Sequence, residues 1–504
     1  MDGVIRNRSG GPREVEIKLE VDPRRLDDLR RSLQLHAFPE RTVRLLSTYF
    51  DADGLPLRKA GFSWRIRRVG DHLIQTVKAQ GSAAVGLHDR PEWEREIKSE
   101  QPDIDVMGRT NLVRRLELDS LRGRLKPQFS TDINRTIWHI RWEDSVVEAA
   151  CDQGTVTAGD RSANIVELEL ELVDGSLADL YSLARDLASS CAAQLAVTSK
   201  ADRGYALVTG ESGEATKAEP IPLTPNMSAA DAFKLIVRGC ICQFRLNESL
   251  IRDSRDVEAL HQARVALRRL SSALSIFGRL ANKKRLAHVS DGLERLFRKL
   301  GRARNLDVYL DAIRQGAAEN PVSLGLIPEV VGERDRAYDD VIAELASPEW
   351  RDLLLDLSAF VEVEAWLDHR PSRGAAQRPV RDFASRSLER QWQRIRDIGS
   401  PIDRLASRAR HRLRLRTKTF RYSCEFFEGA FAKRKAAKRY RRFIARLGDL
   451  QDVLGILNDL ATNKKLAKSA ATRSVRRDTQ QAKAELLTRA VAAHLALKKA
   501  KPFW

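Results

Sequence analysis

Cysteine is scarce in this chain of 504 residues: there are five (Cys151, Cys191, Cys240, Cys242 and Cys424), odd in number and scattered. Such usage excludes a disulfide framework and a four-thiolate zinc site, and it fits a reducing, cytoplasmic setting. Long apolar runs are missing as well. Nowhere do 18 apolar residues follow one another, so no bilayer-spanning helix and no membrane partner are expected. The opening MDGVIRNRSGGPRE has no apolar core of the kind a signal peptide needs. Histidine is thin too: His36, His72, His88 and His139 are isolated in the first 200 residues, and no His pair, Ser–His–Asp set or CxxC element is there to carry chemistry.

What the chain has in quantity is charge. It is 42% hydrophobic and 31% charged, with 88 Lys and Arg against 69 Asp and Glu, a net charge of +19. The excess is not spread evenly. Through Gly210 there are 31 basic and 33 acidic residues, and after it 57 and 36, so the first part stands at −2 and the second at +21. A polyanionic partner is expected of the second part. The length argues for two or three domains.

From Glu14 to about Leu207 the sequence alternates with period two, as in EVEIKLEV, GFSWRIRRVG, PEWEREI and IVELELELVDG, the pattern of strands. One helix is expected near 177–193. Beyond a stretch holding several Pro, Gly and Ser residues everything reads as helix, broken at Pro321–Pro328 and Pro371–Pro379. The expected division is a tail over 1–13, a strand domain over 14–209, a linker over 210–225 and a helical domain over 226–504. The helical part repeats itself: His261-x-x-Arg264-x-x-x-Arg268 matches His411-x-x-Arg414-x-x-x-Lys418, and Leu300-Gly301 matches Leu447-Gly448, at an offset near 150 residues. A duplicated helical bundle, about 226–370 and 380–504, explains both matches.

The strands carry an unusual device. Glu14, Glu16 and Glu20 share one strand face with Lys18, opposite Val15, Ile17 and Leu19; Glu167, Glu169 and Glu171 do the same opposite Leu168 and Leu170. Glu92, Glu94 and Glu96 form a third row, and Arg65 and Arg67 present cations in the same manner. Rows of like carboxylates repel unless cations sit between them. A closed barrel would bring the Glu rows and the Arg/Lys rows face to face, the acids holding Mg²⁺ or Mn²⁺ and the bases a multiply charged phosphate chain. Phosphoryl transfer needs little beyond that positioning and an oriented water.

Glu14-x-Glu16-x-Lys18, Leu57-Arg58-Lys59, Arg65-Ile66-Arg67, Lys78, Arg90-Pro-Glu92-Trp-Glu94, Arg135, Asp152-Gln-Gly154, Glu167-x-Glu169-x-Glu171 and Ser199-Lys200-x-x-Arg203-Gly204-Tyr205 together resemble the CYTH domain of the triphosphate tunnel metalloenzymes. The resemblance implies an antiparallel eight-stranded β-barrel with flanking helices, whose tunnel hydrolyses the terminal phosphoanhydride of a triphosphate. By the same resemblance Glu14, Glu16, Glu167, Glu169 and Glu171 would bind the metal, and Glu14, Glu16 and Lys18 would be catalytic. Lys18, Arg58, Arg65, Arg67, Lys78, Arg90, Arg135, Lys200 and Arg203 would bind phosphate oxygens. Inorganic triphosphate is the expected substrate; a nucleoside or thiamine triphosphate, adenylate cyclisation, or binding without turnover are the alternatives.

In the second half, His261, Arg264 and Arg268 fall on one helix face, roughly 120° round from the Leu260, Leu267, Leu270, Leu274 and Phe277 stripe. The copy repeats this with His411, Arg414, Lys418 and Arg421. Neither face contains an acid, which is unlike an ordinary solvated face. The pattern, with the neighbouring Arg269, resembles the CHAD domain, an all-α duplicated helical bundle often fused behind CYTH. That resemblance implies a basic surface for inorganic polyphosphate, and with it association with polyphosphate granules. Nucleic acid is argued against by the absence of a known module and of aromatic residues interleaved with the basic face.

Overall fold

The computed structural model describes residues 13–79, 87–107, 118–210, 213–280, 283–316, 325, 327–364, 366–367, 370–398, 401–466 and 473–504. Nine strands form one antiparallel sheet: β1 (Arg13–Glu20), β2 (Arg41–Asp51), β3 (Phe62–Val69), β4 (His72–Ala79), β5 (Leu87–Ile97), β6 (Lys126–Trp142), β7 (Ser145–Ala158), β8 (Arg161–Asp174) and β9 (Gln194–Leu195). Their order is β5-β4-β3-β2-β6-β7-β8-β1-β9, and β1 also pairs with β5, with Glu14 opposite Arg90. That pairing closes β1 to β8 into a ring. The expected strand count of eight is therefore corrected to nine, because the two-residue β9 lies against Leu19 and Glu20, beyond the part of β1 that meets β5.

Around the cavity the barrel is polar within and apolar without, while farther along the same inward faces Leu45, Phe129, Ile133, Val156 and Ile165 pack with Tyr205 into an apolar cluster. Ile17 and Leu19 of β1 and Leu168 and Leu170 of β8 are fully buried outside the ring, while Glu16, Lys18, Glu169 and Glu171 alternate with them and face inward. The single helix expected in this half is present over Leu177–Cys191, but so are helices Leu26–His36 and Lys200–Thr209. The first of these is amphipathic: Leu26, Leu29 and Leu33 are buried on one face. The Lys200–Thr209 helix starts on a capping box, in which Ser199 accepts from the Asp202 N–H and the Asp202 carboxylate accepts from the Ser199 N–H.

From Ala229 onward the structure is helical, and Pro328, Pro348 and Pro371 stand in the first turns of helices Ile327–Leu345, Pro348–Glu362 and Arg370–Ala376, where a missing N–H costs nothing. Two compact units result. One comprises Met1–Lys217, Ile241–Arg264 and Asp291–Ala365; the other comprises Ala218–Cys240, Val265–Ser290 and Trp366–Trp504. In the first unit the Leu177–Cys191 helix meets Pro348–Glu362, where Tyr181 and Ser358 share a hydroxyl hydrogen bond of 2.7 Å. Arg245, buried, donates to the Leu195 carbonyl at 3.3 Å and pairs with Glu248 at 2.6 Å. In the second unit Phe277 stacks on Phe233 and on Phe383, at ring separations of 4.8 and 4.6 Å.

Candidate active site

Strand register assembles the site. Lys18 of β1 stands opposite Glu169 of β8, Glu16 opposite Glu171, Arg135 of β6 opposite Asp152 of β7, and Asp152 opposite Glu167. On the other side of the ring Tyr49 faces Arg65, Ser47 faces Arg67, and Lys78 lies between Ser63 and Glu92. The inward side chains enclose a cavity of about 350 Å³ lined by Glu16, Lys18, Tyr49, Ser63, Arg65, Arg67, Lys78, Glu92, Glu94, Arg135, Glu169, Glu171, Ser199, Lys200 and Ala201. Nine of the residues expected to bind metal or phosphate meet here: Glu16, Lys18, Arg65, Arg67, Lys78, Arg135, Glu169, Glu171 and Lys200.

The acidic side is dense. Lys18 Nζ sits 3.0 Å from Glu16 and pairs with Glu169; Lys200 Nζ lies 2.7 Å from Asp152 and 3.0 Å from Glu169 and also pairs with Glu167. Arg135 grips Asp152 with two hydrogen bonds of 2.7 and 2.6 Å and reaches Glu169. Burial alone would neutralise these groups, and their mutual attraction decides otherwise. Desolvation raises the Glu169 carboxyl, but Arg135, Lys18 and Lys200 outweigh it and hold the group well below the ordinary carboxylate range. Asp152, against the same desolvation, is lowered by Lys200 and Arg135. Glu167 goes the other way, its burial and the Glu169 charge leaving it raised. Lys18 and Lys200 stay charged, because their carboxylate neighbours more than offset burial.

The opposite wall is basic. Lys78 lies 2.6 Å and Arg65 3.7 Å from Glu92, and Arg67 donates to Ser47 Oγ at 3.4 Å. Burial, then the Arg65 and Arg135 charges, depress Arg67 to about 10. Arg65 Nε is buried without an acceptor among the described residues.

Three buried carboxylates, Asp152, Glu167 and Glu169, bring oxygens within 4.8 Å of one another. Glu167 Oε2 is buried with no hydrogen-bond partner among the described residues, and Glu16 and Glu171 are like charges directly opposite across a strand pair. Oxygen-rich, crowded and under-neutralised, this donor set fits a hard divalent cation. Asp152 had no role in the sequence reading; only the β7–β8 register puts it among the Glu rows. Glu92 and Glu94, read from the sequence as a row facing the lumen but given no individual role, are part of the cavity wall, whereas Glu96 is not among its lining residues.

Two expected phosphate ligands stand elsewhere. The buried Asp51 accepts from the Leu57 and Arg58 N–H groups at 3.0 Å each and fixes their turn, but Arg58 lies over the Tyr205 ring at 5.5 Å and is not part of the wall. Arg203 pairs with Glu20 at 3.0 Å. The side chains of Glu14 and Arg90 lie outside the described residues.

The helical stripes are less free of acid than their sequence suggests. Arg269 is buried against Glu425 at 2.9 Å and over the Phe426 ring at 4.9 Å, and Arg421 shares the same carboxylate at 2.9 Å. Arg264 donates to the Phe297 carbonyl at 3.2 Å and covers its ring at 4.6 Å. A Cβ at Gly301 would come within 2.8 Å of that guanidinium, a constraint the second copy does not repeat, since a Cβ at Gly448 would stand 4.0 Å from Arg421. Arg268 of the first copy is lowered by burial and by the charge of Arg414 of the second, so these two arginines stand near each other in the second unit. His411 Nδ1 lies 2.8 Å from Asn458, and Arg414 Nε is buried without a partner among the described residues. His261 and Lys418 are partly exposed.

Comparison with known proteins finds one family for the strands and another for the helices. The CYTH domain model matches residues 12–205 and the CHAD domain model residues 235–468. An inorganic triphosphatase of Haemophilus influenzae is 33% identical over 195 residues, 38% of this chain and 54% of that protein, so the chain spans about half the length of this curated relative. Among solved structures, the CHAD domain of the plant Ricinus communis is similar at 24% identity and a TM-score of 0.45, over 57% of this chain and 98% of that one. A candidate adenylyl cyclase from Hippeastrum with a dominant triphosphatase activity is similar at 18% identity and a TM-score of 0.31, over 39% and 96%. This chain joins an N-terminal CYTH domain to a C-terminal CHAD domain.

Proposed function

We propose that the barrel hydrolyses inorganic triphosphate with Mg²⁺ or Mn²⁺, and that the stripes of the helical domain bind inorganic polyphosphate. The observation that carries the first half is a cavity with one mainly acidic wall, one wall where Arg65, Arg67 and Lys78 outnumber Glu92 and Glu94, and almost no apolar lining. At about 350 Å³ it is near the small end of ligand sites, roughly 300–1,000 Å³. Tyr49 is its one aromatic residue, and that ring is already stacked on Phe129 at 4.4 Å. A nucleobase would find little to pack on there, whereas a bare phosphate chain needs only charge. The triphosphatase name of the Haemophilus relative supports the same reading.

Glu16, Glu167, Glu169 and Glu171, with Glu14, would hold the cation, and Asp152 stands beside them. The bound metal would neutralise phosphate charge and lower the pKa of a coordinated water. Arg65, Arg67, Lys78 and Arg135 would take the phosphate oxygens, Arg65 Nε offering a donor that protein leaves unused. Lys18 is held protonated, so its part is to neutralise charge as the anhydride breaks, not to accept a proton. Orthophosphate release from triphosphate, ATP and thiamine triphosphate, with Mg²⁺, Mn²⁺ or chelator, tests this. Fastest release from triphosphate, abolished by chelator, is expected; no release from any of the three leaves a binding protein without turnover.

A further inference from the structure

Away from the barrel, the second unit contains another cavity, of about 260 Å³, between the helices Val257–Phe277, Val380–Arg396 and Ser407–Phe426. Four arginines, Arg279, Arg390, Arg394 and Arg416, contribute to its wall together with hydroxyl and amide groups such as Thr419 and Gln391, and no carboxylate does. None of the four forms an ion pair with a carboxylate among the described residues. Arg390 is instead lowered by burial and by the charges of Arg279, Arg386 and Arg394 around it. A fold that gathers like charges around a hollow loses stability unless something of opposite sign enters.

This hollow is not the duplicated stripe. On the Ser407–Phe426 helix Arg416 and Thr419 lie roughly 135° round from the middle of His411, Arg414 and Lys418, at about 100° per residue. On the Val257–Phe277 side Arg279 is eleven residues past Arg268, about 16 Å along at 1.5 Å per residue. At the repeat offset of 150, Arg416 corresponds to Ala266, Arg390 to Cys240 and Arg394 to Phe244. The first copy has nothing equivalent.

We infer that this cavity is a separate binding site for a compact diphosphate group, whether inorganic pyrophosphate or the diphosphate of a nucleotide. Guanidinium forks match phosphate oxygens in pairs, and Gln391, Ser387 and Thr419 supply neutral donors beside them. Ile276 and Leu415 add an apolar edge on which an organic body could rest. The site owes nothing to the barrel chemistry and stands if that reading falls.

The test is calorimetric titration of the full chain with pyrophosphate and, separately, with ADP, in a background where Arg65→Ala and Arg67→Ala have weakened the barrel cavity. Saturable binding is expected, reduced at least tenfold by Arg390→Gln with Arg394→Gln, and less than twofold by Lys433→Gln with Lys435→Gln, which removes the same charge from exposed positions. Tighter pyrophosphate binding marks an inorganic ligand; tighter ADP binding marks a nucleotide. Gln391→Glu places a carboxylate inside the hollow and keeps the acceptor for Ser423 Oγ. It should raise the melting temperature and reduce binding tenfold, a pair of effects that misfolding cannot produce. No binding of either probe, equal losses from the two double variants, or undiminished binding by Gln391→Glu would each overturn the site.

Discussion

Glu169 shows how much one inward side chain can hold. It meets Lys18, Lys200 and Arg135 at once, so Glu169→Gln removes a metal ligand and also takes one carboxylate from each of three cations, leaving Lys18 with Glu16 and the other two sharing Asp152. Breaking a buried pair typically costs about 3–5 kcal/mol. Turnover should fall at least a hundredfold, with a marked loss of melting temperature, whereas Glu171→Gln should lose turnover with little loss of stability; phosphate-release assays and thermal melts check both. Acid should act on the same cluster. Glu169 and Asp152 bind protons less readily folded than unfolded, so their contribution is complete above an ordinary carboxylate pKa of about 4 and is withdrawn as pH falls below it. Glu167, raised, works with the opposite sign and eases as it protonates. The net expectation is a melting temperature that drops below about pH 4, and a shallower drop in Glu169→Gln. Sequence alternation revealed the Glu and Arg rows, since face is a property of each strand by itself. It could not give Asp152 its role, because which residues face it across the two hairpins β6–β7 and β7–β8 depends on their register, not on the alternation within one strand.

At the scale of elements, the Lys200–Thr209 helix must lie close against the barrel for Lys200 to enter it. Gly204 permits that approach: a Cβ there would come within 2.1 Å of the Phe129 ring, which itself stacks on Tyr49 of the cavity wall. Gly204→Ala should therefore destabilise the protein by about 1–3 kcal/mol, measured by urea unfolding, and raise KM through the displaced Tyr49 ring. Ser199→Ala should cost about 1 kcal/mol by opening the capping box. Long strands and long helices were legible because their periods persist. The Leu26–His36 helix was missed among strands because its stripe spans only three turns, and β9 was missed because two residues have no period at all.

For the whole molecule, the charge imbalance between the halves predicts the response to salt. Long-chain polyphosphate binding by the full chain should weaken as salt rises, because released counterions drive it. Arg268→Ala, Arg414→Ala and Lys418→Ala together should weaken it far more than Lys433→Ala, Lys435→Ala and Lys438→Ala, measured by filter binding at matched ionic strength. Arg264 is left out because its guanidinium supports the Phe297 carbonyl and its loss would confound packing with charge. Equal losses from the two triples would mean diffuse attraction to a basic surface. The duplication was readable in sequence because both copies keep the same motif order; the carboxylate of Glu425 against Arg269 and Arg421 was not, since it stands on the same face but one turn beyond Arg421, past the end of the repeated motif.

The interleaving of the two compact units bears on how the chain is made. A ribosome delivers the last barrel strand well before residue 217, yet the unit that contains the barrel is not complete until Ala365 has emerged. At about 5–20 residues per second, the intervening stretch of about 150 residues keeps the outer face of the Leu177–Cys191 helix waiting roughly 10–30 s for the Pro348–Glu362 helix. During that interval Val265–Ser290 of the other unit is already out and is itself waiting for partners beyond Trp366. Synthesis therefore holds two half-finished cores on one nascent chain, and nascent-chain proteolysis should find the Leu177–Cys191 helix open to cleavage until the arrest point passes Glu362 by the length of the exit tunnel.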